Sequence, residues 1–339
     1  METKLLIANE ESINLACQLL KQGKIVAVPT ETVYGLAGDS RNPAAIKKIF
    51  AAKGRPADNP LIVHIGNIDM LDGIVSEFSN TAQKLAEKFW PGPLTIVMPK
   101  GDKICDETSA GLSSVGVRMP SNEIAREIIN RSKVPFSAPS ANLSGKPSPT
   151  TATAVFDDMN GKIPLIIDGG ICDAGVESTV ISVLEETPII LRPGIITKEE
   201  IEAVLNTPVK VAKEVTEGVK DGSIVRSPGM KYKHYAPNAT VTIVSGSLES
   251  FVDFVNKNQS ENTIVMCFDG EEQLMPVQSI SYGKKDDAKS QAHNLFAVLR
   301  ELDQKNAKQV FVRCPETEGV SLAVYNRLIR SAAFNIIEL

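Results

Sequence analysis

Residues 9–53 read NEESINLACQLLKQGKIVAVPTETVYGLAGDSRNPAAIKKIFAAK, and their pattern predicts helix, strand, polar loop and helix in that order. Asn9 is placed to cap the first helix, with Glu10 and Glu11 at its positive end. Ile13, Ala16, Leu19 and Leu20 recur at helical spacing, and Gly23 is a natural stop. Lys24–Val28 is a short β-rich run that Pro29 ends. Thr30 to Asp39 is expected to be a polar, glycine-containing loop. The next helix, Pro43 to Lys53, would bury Ile46, Ile49 and Phe50.

Strand-like runs recur outward from this unit, at Leu61–Ile65, Leu94–Met98, Val115–Met119, Val134–Ala138, Leu165–Asp168, Thr179–Leu184 and Ile189–Leu191. Helical patterns fall between several of them, near Asn80–Phe89, Glu123–Arg131 and Thr151–Phe156. Strands interleaved with helices give an α/β domain on a mixed sheet, assigned to residues 1–206. From 207 to 238 periodicity fades, and Arg226–Tyr235 is basic and aromatic without an acid, which reads as a linker. Residues 239–339 form a second α/β unit. Its strands are expected at Val241–Val244, Thr263–Phe268 and Val310–Arg313, and its helices at Leu248–Asn258, Asp286–Gln304 and Ser321–Ala333. That alternation predicts a smaller, Rossmann-like parallel sheet, but one lacking both GxGxxG and GxxxxGK[ST] phosphate loops.

Composition narrows the function classes. The 339 residues carry a net charge of −5, so a globally basic nucleic-acid coat is excluded and only a local basic patch remains open. Five cysteines stand far apart with no CxxC pair, which excludes a zinc ribbon and favours free thiols in a reducing cytosol. No run approaches the roughly 20 apolar residues of a membrane span, and the apolar stretch Leu5–Ala8 is too short for a signal peptide.

Two constellations stand out as chemistry. In Lys53-Gly-Arg-Pro-Ala-Asp-Asn-Pro, two cations sit on a loop stiffened by Pro56 and Pro60, an arrangement suited to polyphosphate or carboxylate, or else a solvated basic turn. In Ser137–Thr151, small residues allow a ligand close to the backbone, and Ser140, Asn142, Ser144 and Ser148 offer uncharged polar groups ahead of a helix start. Arg118 and Arg192 each end a strand, where a guanidinium is either an anion ligand or half of a surface ion pair. His64, within an apolar strand, reads as a core residue, and Trp90 as a buried indole at a rigid turn. No metal-ligand cluster and no ordered His, carboxylate and nucleophile set is present. The residues describe a cationic, hydroxyl-rich pocket that works by positioning a phosphate-bearing substrate.

These strings resemble the YrdC/Sua5 family of threonylcarbamoyl-adenylate synthases. The resemblance is carried by Pro29-Thr-Glu-Thr-Val-Tyr-Gly-Leu, Lys53-Gly-Arg-Pro-Ala-Asp-Asn-Pro-Leu, Trp90-Pro-Gly-Pro-Leu-Thr, Val115-Gly-Val-Arg-Met-Pro, Ser137-Ala-Pro-Ser-Ala-Asn-Leu-Ser-Gly, Val176-Glu-Ser-Thr-Val and Leu191-Arg-Pro-Gly. Ser227-Pro-Gly-Met-Lys-Tyr-Lys-His-Tyr-Ala-Pro and Leu322-Ala-Val-Tyr-Asn-Arg-Leu look like the long, two-domain Sua5 form.

The resemblance implies an N-terminal YrdC-like twisted mixed-sheet domain and a nucleotidyltransferase activity. L-threonine, bicarbonate and ATP would give threonylcarbamoyl-AMP and pyrophosphate, for t6A at position 37 of tRNA. It implies that Lys53, Arg55 and Arg192 offset phosphate charge, with Mg²⁺ accompanying ATP, bound by the phosphates alone or by the protein as well, and no residue assigned as a metal ligand. Asn59, Ser114, Ser140, Asn142, Ser148, His234 and Tyr235 would complete the ATP site. Thr32, Tyr34, His64, Arg118, Ala138 and Ser178 would hold threonine, with Arg118 on its carboxylate and Tyr34 as a wall. Residues 226–235 are expected to fold over the pocket and keep water from the labile product, with Lys231, His234 and Tyr235 near the ligand. Expected partners are the small substrates and, beyond them, tRNA or the t6A-transferring proteins, in the cytoplasm and away from membranes. Two other readings of a YrdC-like domain stand beside this one. One is RNA binding without chemistry, which the acidic balance weakens. The other is carbamoyl transfer in hydrogenase maturation, which the absence of CxxC pairs weakens.

Overall fold

A computed structural model describes residues 2–217 and 235–339. By their contacts these divide into two compact units: residues 2–144 with 148–217, and residues 145–147 with 235–339. The expected linker residues 218–234, among them Lys231 and His234, lie outside the described residues.

The first unit is built on eleven strands: β1 (Lys4–Ile7), β2 (Val26–Val28), β3 (Gly35–Asp39), β4 (Ile62–His64), β5 (Leu94–Pro99), β6 (Ser114–Arg118), β7 (Phe136–Ser137), β8 (Leu165–Asp168), β9 (Thr179–Ser182), β10 (Ile189–Arg192) and β11 (Lys210–Val211). They form one mixed sheet in the order β1-β8-β2-β3-β7-β4-β6-β5-β9-β10-β11. The α/β mixed-sheet architecture expected of the sequence is therefore present, with three corrections.

The stretch Gly35–Asp39, expected as loop, is β3, paired antiparallel to β2 and β7. Its small residues carry no β-branched signal, and burial between two neighbours overrides propensity. A strand, β1, precedes the first helix at the sheet edge, parallel to β8. Residues 207–217, expected as the start of the linker, instead add β11 alongside β10 and a short helix, Glu214–Glu217. A two-residue edge strand is too short to show a period.

Helices flank the sheet unevenly. Around β2, β3 and β8, helices Glu10–Lys21 and Glu123–Ser132 pack on one face, through Ile13, Leu20, Ile128 and Ile129. Pro43–Lys53 and Ala152–Met159 pack on the other, through Ile46, Ile49, Val155 and Met159. The capping of the first helix is as expected: the Asn9 side chain accepts from the Ser12 amide at 2.9 Å, and the Ser12 hydroxyl accepts from the Asn9 amide at 2.9 Å. Across β4, β6, β5, β9 and β10, helices Asn80–Phe89 and Lys198–Leu205 cover one face, burying Val63, Ile96, Val117, Ile181 and Ile190 with Leu85, Trp90 and Ile201. The indole of Trp90 is buried there and donates to the Leu94 carbonyl at 2.7 Å. The opposite face of these strands has a smaller apolar cluster, Ile62, Val97, Val180 and Leu191, and then turns polar.

The second unit is an all-parallel sheet of β12 (Thr240–Ser245), β13 (Thr263–Cys267), β14 (Ser279–Ser281), β15 (Gln309–Arg313) and β16 (Ile336–Glu338), in the order β14-β13-β15-β12-β16. The parallel sheet is the one expected, with β14 and β16 added at its edges. Ligands of such sheets gather beyond the carboxyl ends of the strands. Here Arg313, at the end of β15, donates to the Gly246 carbonyl at 2.9 Å, pairs with Glu271 at 3.2 Å and lies over the rings of Phe251 and Phe268. Among the described residues no helix is long and apolar enough to cross a membrane.

Candidate active site

Strand alternation decides which side chains can reach the polar face. On β6, Val115 and Val117 point into the core, so Ser114, Gly116 and Arg118 share the other side. On β4, Val63 is in the core and His64 is not. His64 and Arg118 stand opposite one another in register on these parallel strands. On β5, Leu94, Ile96 and Met98 are core, which leaves Thr95 and Val97 outward. Thr95 is in register with Val180 of β9, and Ser178 lies two residues before it. A Cβ on Gly116 would meet Thr95 Cγ2 at 3.1 Å, so glycine keeps this part of the face low.

Arg192 would fall on the core side if β10 ran straight, because Ile190 pairs with the core residue Ile181. A bulge lets Arg192 pair with Val180 instead, two residues against one, and this re-aims its guanidinium onto the polar face. Five neighbouring strands thus present His64, Arg118, Thr95, Ser178 and Arg192 together.

Their contacts form two clusters. In the first, Arg118 is only 4% exposed; it donates from Nη1 to Thr32 Oγ1 at 2.9 Å and lies 2.6 Å from a carboxylate oxygen of Glu31. Thr32 Oγ1 is 2.9 Å from Thr30 Oγ1. Burial alone would push the Glu31 carboxyl up, but the Arg118 charge holds it below the ordinary carboxylate range. His64 is pressed against Phe136, and its Nδ1 is 3.2 Å from the Ile62 carbonyl. That carbonyl can only accept, so Nδ1 carries the ring proton. Burial, and then the nearby Arg118 charge, lower the His64 pKa to about 3, so the imidazole is neutral at physiological pH.

In the second cluster Arg192 donates from Nε to the Ser178 carbonyl and from Nη2 to the Ser178 hydroxyl, each at 3.1 Å. Ser178 Oγ is also 2.8 Å from Thr95 Oγ1. The preceding residue, Glu177, accepts from the Ser148 hydroxyl at 2.6 Å, which ties the serine-rich loop to this strand start.

That loop is stitched to the 34–36 backbone. Leu36 N donates to Pro139 O at 2.7 Å, Ala141 N to Tyr34 O at 2.8 Å, and Tyr34 N to Pro149 O at 2.9 Å. Lys53, at the end of its helix, is buried and donates from Nζ to the carbonyls of Ser140 and, at 2.8 Å, of Asn142. The Lys53 carbonyl in turn accepts from Ser144 N at 2.9 Å. Lys53 therefore holds the Ser140–Asn142 turn as well as charging it. Ala138, one residue past β7, donates to the Ile62 carbonyl at 3.2 Å. Its Cβ lies where a Cβ on Gly35 would come within 2.9 Å, so the two backbones meet only because residue 35 is glycine.

The other expected residues are more scattered. Tyr34 is fully buried and donates its hydroxyl to the Gly170 carbonyl at 2.7 Å, so it braces the pocket from behind. Asn59 is fully buried, and its amide has no hydrogen-bond partner among the described residues. Ser114 opens β6 beside Leu61, Ile62, Val97 and Val180, which line a narrow crevice. Arg55 stands 6.0 Å from the Phe50 ring centre, beyond the helix end. Tyr235 belongs to the second unit, where its ring packs on Phe296 at 5.1 Å. Glu31, Thr95 and Glu177 were not among the expected site residues, although all three lie inside strings that carry the resemblance. Among the described residues no three His, Cys, Asp or Glu side chains gather as a metal site.

Comparison with known proteins identifies the family. The Sua5/YciO/YrdC family profile, described as telomere recombination, matches residues 18–194, and the profile of the threonylcarbamoyl-AMP synthase C-terminal domain matches residues 196–333. A threonylcarbamoyl-AMP synthase of Pyrococcus abyssi is 42% identical over 335 residues, covering 97% of this chain and 96% of that protein. One of Bacillus subtilis is 42% identical over 337 residues, covering 98% and 96%. The crystal structure of P. abyssi Sua5 complexed with L-threonine matches with a TM-score of 0.92 at 39% identity, covering 100% of each chain. Both profiles, in this order, and identity maintained along nearly the whole length place the chain in the Sua5/YrdC family, in the long form with the Sua5 C-terminal domain.

Proposed function

We propose that the chain is an L-threonylcarbamoyladenylate synthase. Threonine and bicarbonate condense to the N-carboxylate with loss of water. A carbamate oxygen then attacks the α-phosphorus of ATP, and pyrophosphate leaves. The observation that carries this reading is the pair of buried guanidiniums, Arg118 and Arg192, presented on one polar face by neighbouring strands and each bonded to a hydroxyl-bearing residue. Two anions, a carboxylate and a phosphate, fit two such cations.

Arg118 grips the threonine carboxylate, with Thr32, neutral His64, Ala138 and Ser178 around it. Arg192 and Arg55 face the phosphates. Lys53 adds positive charge through the turn it holds, and Asn59, Ser114, Ser140, Asn142 and Ser148 orient the nucleotide. Mg²⁺ enters on the triphosphate as part of the substrate. No side chain becomes covalently attached, so the rate comes from alignment and from fixed dipoles and charges where negative charge develops. The product is a reactive mixed anhydride that passes to the proteins that place the group on tRNA.

The test is incubation of the full chain with ATP, L-threonine, bicarbonate and Mg²⁺. Pyrophosphate and the adenylate should appear together and require all three substrates. Serine should substitute with a loss of about 1–3 kcal/mol, the value of one methyl group. Release of pyrophosphate independent of threonine, or none at all, would remove the proposal.

A further inference from the structure

Arg118 and Glu31 leave polar capacity unused. Their closest atoms are 2.6 Å apart, and the backbone amides of Glu31 and Ser121 also reach the Glu31 carboxylate, yet none of these contacts is well aligned, and Nε and Nη2 of Arg118 have no aligned acceptor. Both side chains are more than nine-tenths buried, Glu31 at 7% exposure and Arg118 at 4%. A buried ion pair is stable only when its remaining donors and acceptors are satisfied. A cation and an anion side by side, each with unfilled bonds, match a ligand that carries both charges on one carbon.

We infer that Glu31 is the seat of the substrate's α-ammonium group, so that a zwitterionic amino acid lies across the Glu31–Arg118 pair, carboxylate to Arg118 and nitrogen to Glu31. The inference rests on the reading of Arg118 as the carboxylate grip. Charge balance supports it. The pair is neutral, and a zwitterion adds no net charge to a buried site, whereas a carboxylate without an amine would leave one uncompensated anion there. The arrangement also suits the next step. Once the nitrogen is carboxylated it still has an N–H to donate to Glu31. The new carbamate oxygens are repelled by that carboxylate and turn away from it. Glu31 thus becomes a specificity determinant for free α-amino acids as well as an orienting group.

The test compares calorimetric binding of L-threonine with that of 3-hydroxybutanoate, which keeps the carboxylate, hydroxyl and methyl but lacks the amine. The wild-type chain should prefer threonine by at least tenfold. Glu31→Gln should weaken threonine at least tenfold and leave 3-hydroxybutanoate equal or tighter, so the preference collapses, while ATP binding stays near wild type even though loss of the ion pair lowers the thermal midpoint. Equal weakening of both ligands would reduce Glu31 to a prop for Arg118 and overturn the inference, and no change in either would do the same. If Glu31→Gln does not fold, the wild-type comparison still decides, because equal binding of the two ligands rules out an ammonium seat. Arg118→Ala separates the two readings: unchanged threonine binding in that variant removes the carboxylate grip itself, whereas loss of both ligands there, with equal weakening in Glu31→Gln, removes only the role of Glu31.

Discussion

Arg192 places both arms on a single residue, Nε on the Ser178 carbonyl and Nη2 on the Ser178 hydroxyl, each at 3.1 Å. The hydroxyl is itself 2.8 Å from Thr95 Oγ1, so the guanidinium is held in a fixed plane before any ligand arrives. A fixed charge needs no reorganisation when negative charge develops on phosphate. Arg192→Ala should therefore lower the rate of pyrophosphate formation by about 10- to 150-fold, the range for losing a hydrogen bond to a charged group. Arg192→Lys keeps the charge and loses the fork, and should recover only part of the rate. A lysine variant as fast as wild type would mean that charge alone matters at this position.

Arg118 serves the other substrate in the same scheme. Its Nη1 bond to Thr32 fixes the guanidinium at the end of β6. Arg118→Ala should raise the threonine concentration needed for half-maximal rate far more than the ATP concentration. Initial rates against each substrate measure both. Equal shifts in the two would place Arg118 outside the amino-acid pocket.

The sequence made the cations of this site visible but not its carboxylates. Lys53, Arg55, Arg118 and Arg192 stand in unusual local company, next to proline and glycine or at the ends of β-rich runs. Glu31 sits among threonines in a segment with no period, and its importance arises only when β6 brings Arg118 against it. The aim of Arg192 was equally hidden, because a bulge has no sequence signature that distinguishes it from straight strand. Helices with capped ends and strong apolar stripes, such as Glu10–Lys21 and Asn80–Phe89, were legible, since local chemistry and burial agree in them. β3, β11 and β14 were not, because Gly35–Asp39 is strand by enclosure rather than propensity and the other two are short edge segments.

Lys53 gives a prediction of a different kind. Its ammonium bonds to the Ser140 and Asn142 carbonyls, so it is part of the architecture of the turn that would face the nucleotide. Lys53→Met keeps the stem and removes the donor, leaving carbonyl acceptors to find new partners. Stability should fall by about 1–3 kcal/mol, the penalty for an unsatisfied buried polar group, and ATP affinity should fall with it. Urea unfolding and nucleotide binding on the same preparation test the coupling. Loss of ATP affinity at unchanged stability would make Lys53 a phosphate ligand and nothing more.

His64 ties the site to pH. Its folded pKa is depressed to about 3 by burial and then by the Arg118 charge, against an ordinary value near 6.5 in the unfolded chain. Between those values the unfolded state binds the proton and the folded state does not, so stability rises with pH across the window. The contribution is fully present above about pH 6.5 and is lost as pH falls toward 3. From pH 7.5 to pH 5 the single histidine should remove about 2 kcal/mol. The lowered carboxyl of Glu31 works in the same sense but only below the ordinary carboxylate range, so it adds little within this interval. His64→Gln has nothing to titrate, and the difference between its urea-unfolding free energy and that of the wild type should shrink or reverse by that amount on acidification. Parallel pH profiles for the two proteins would show that His64 takes up its proton in the folded state as readily as in the unfolded one. The buried, neutral imidazole beside Arg118 would then be ruled out.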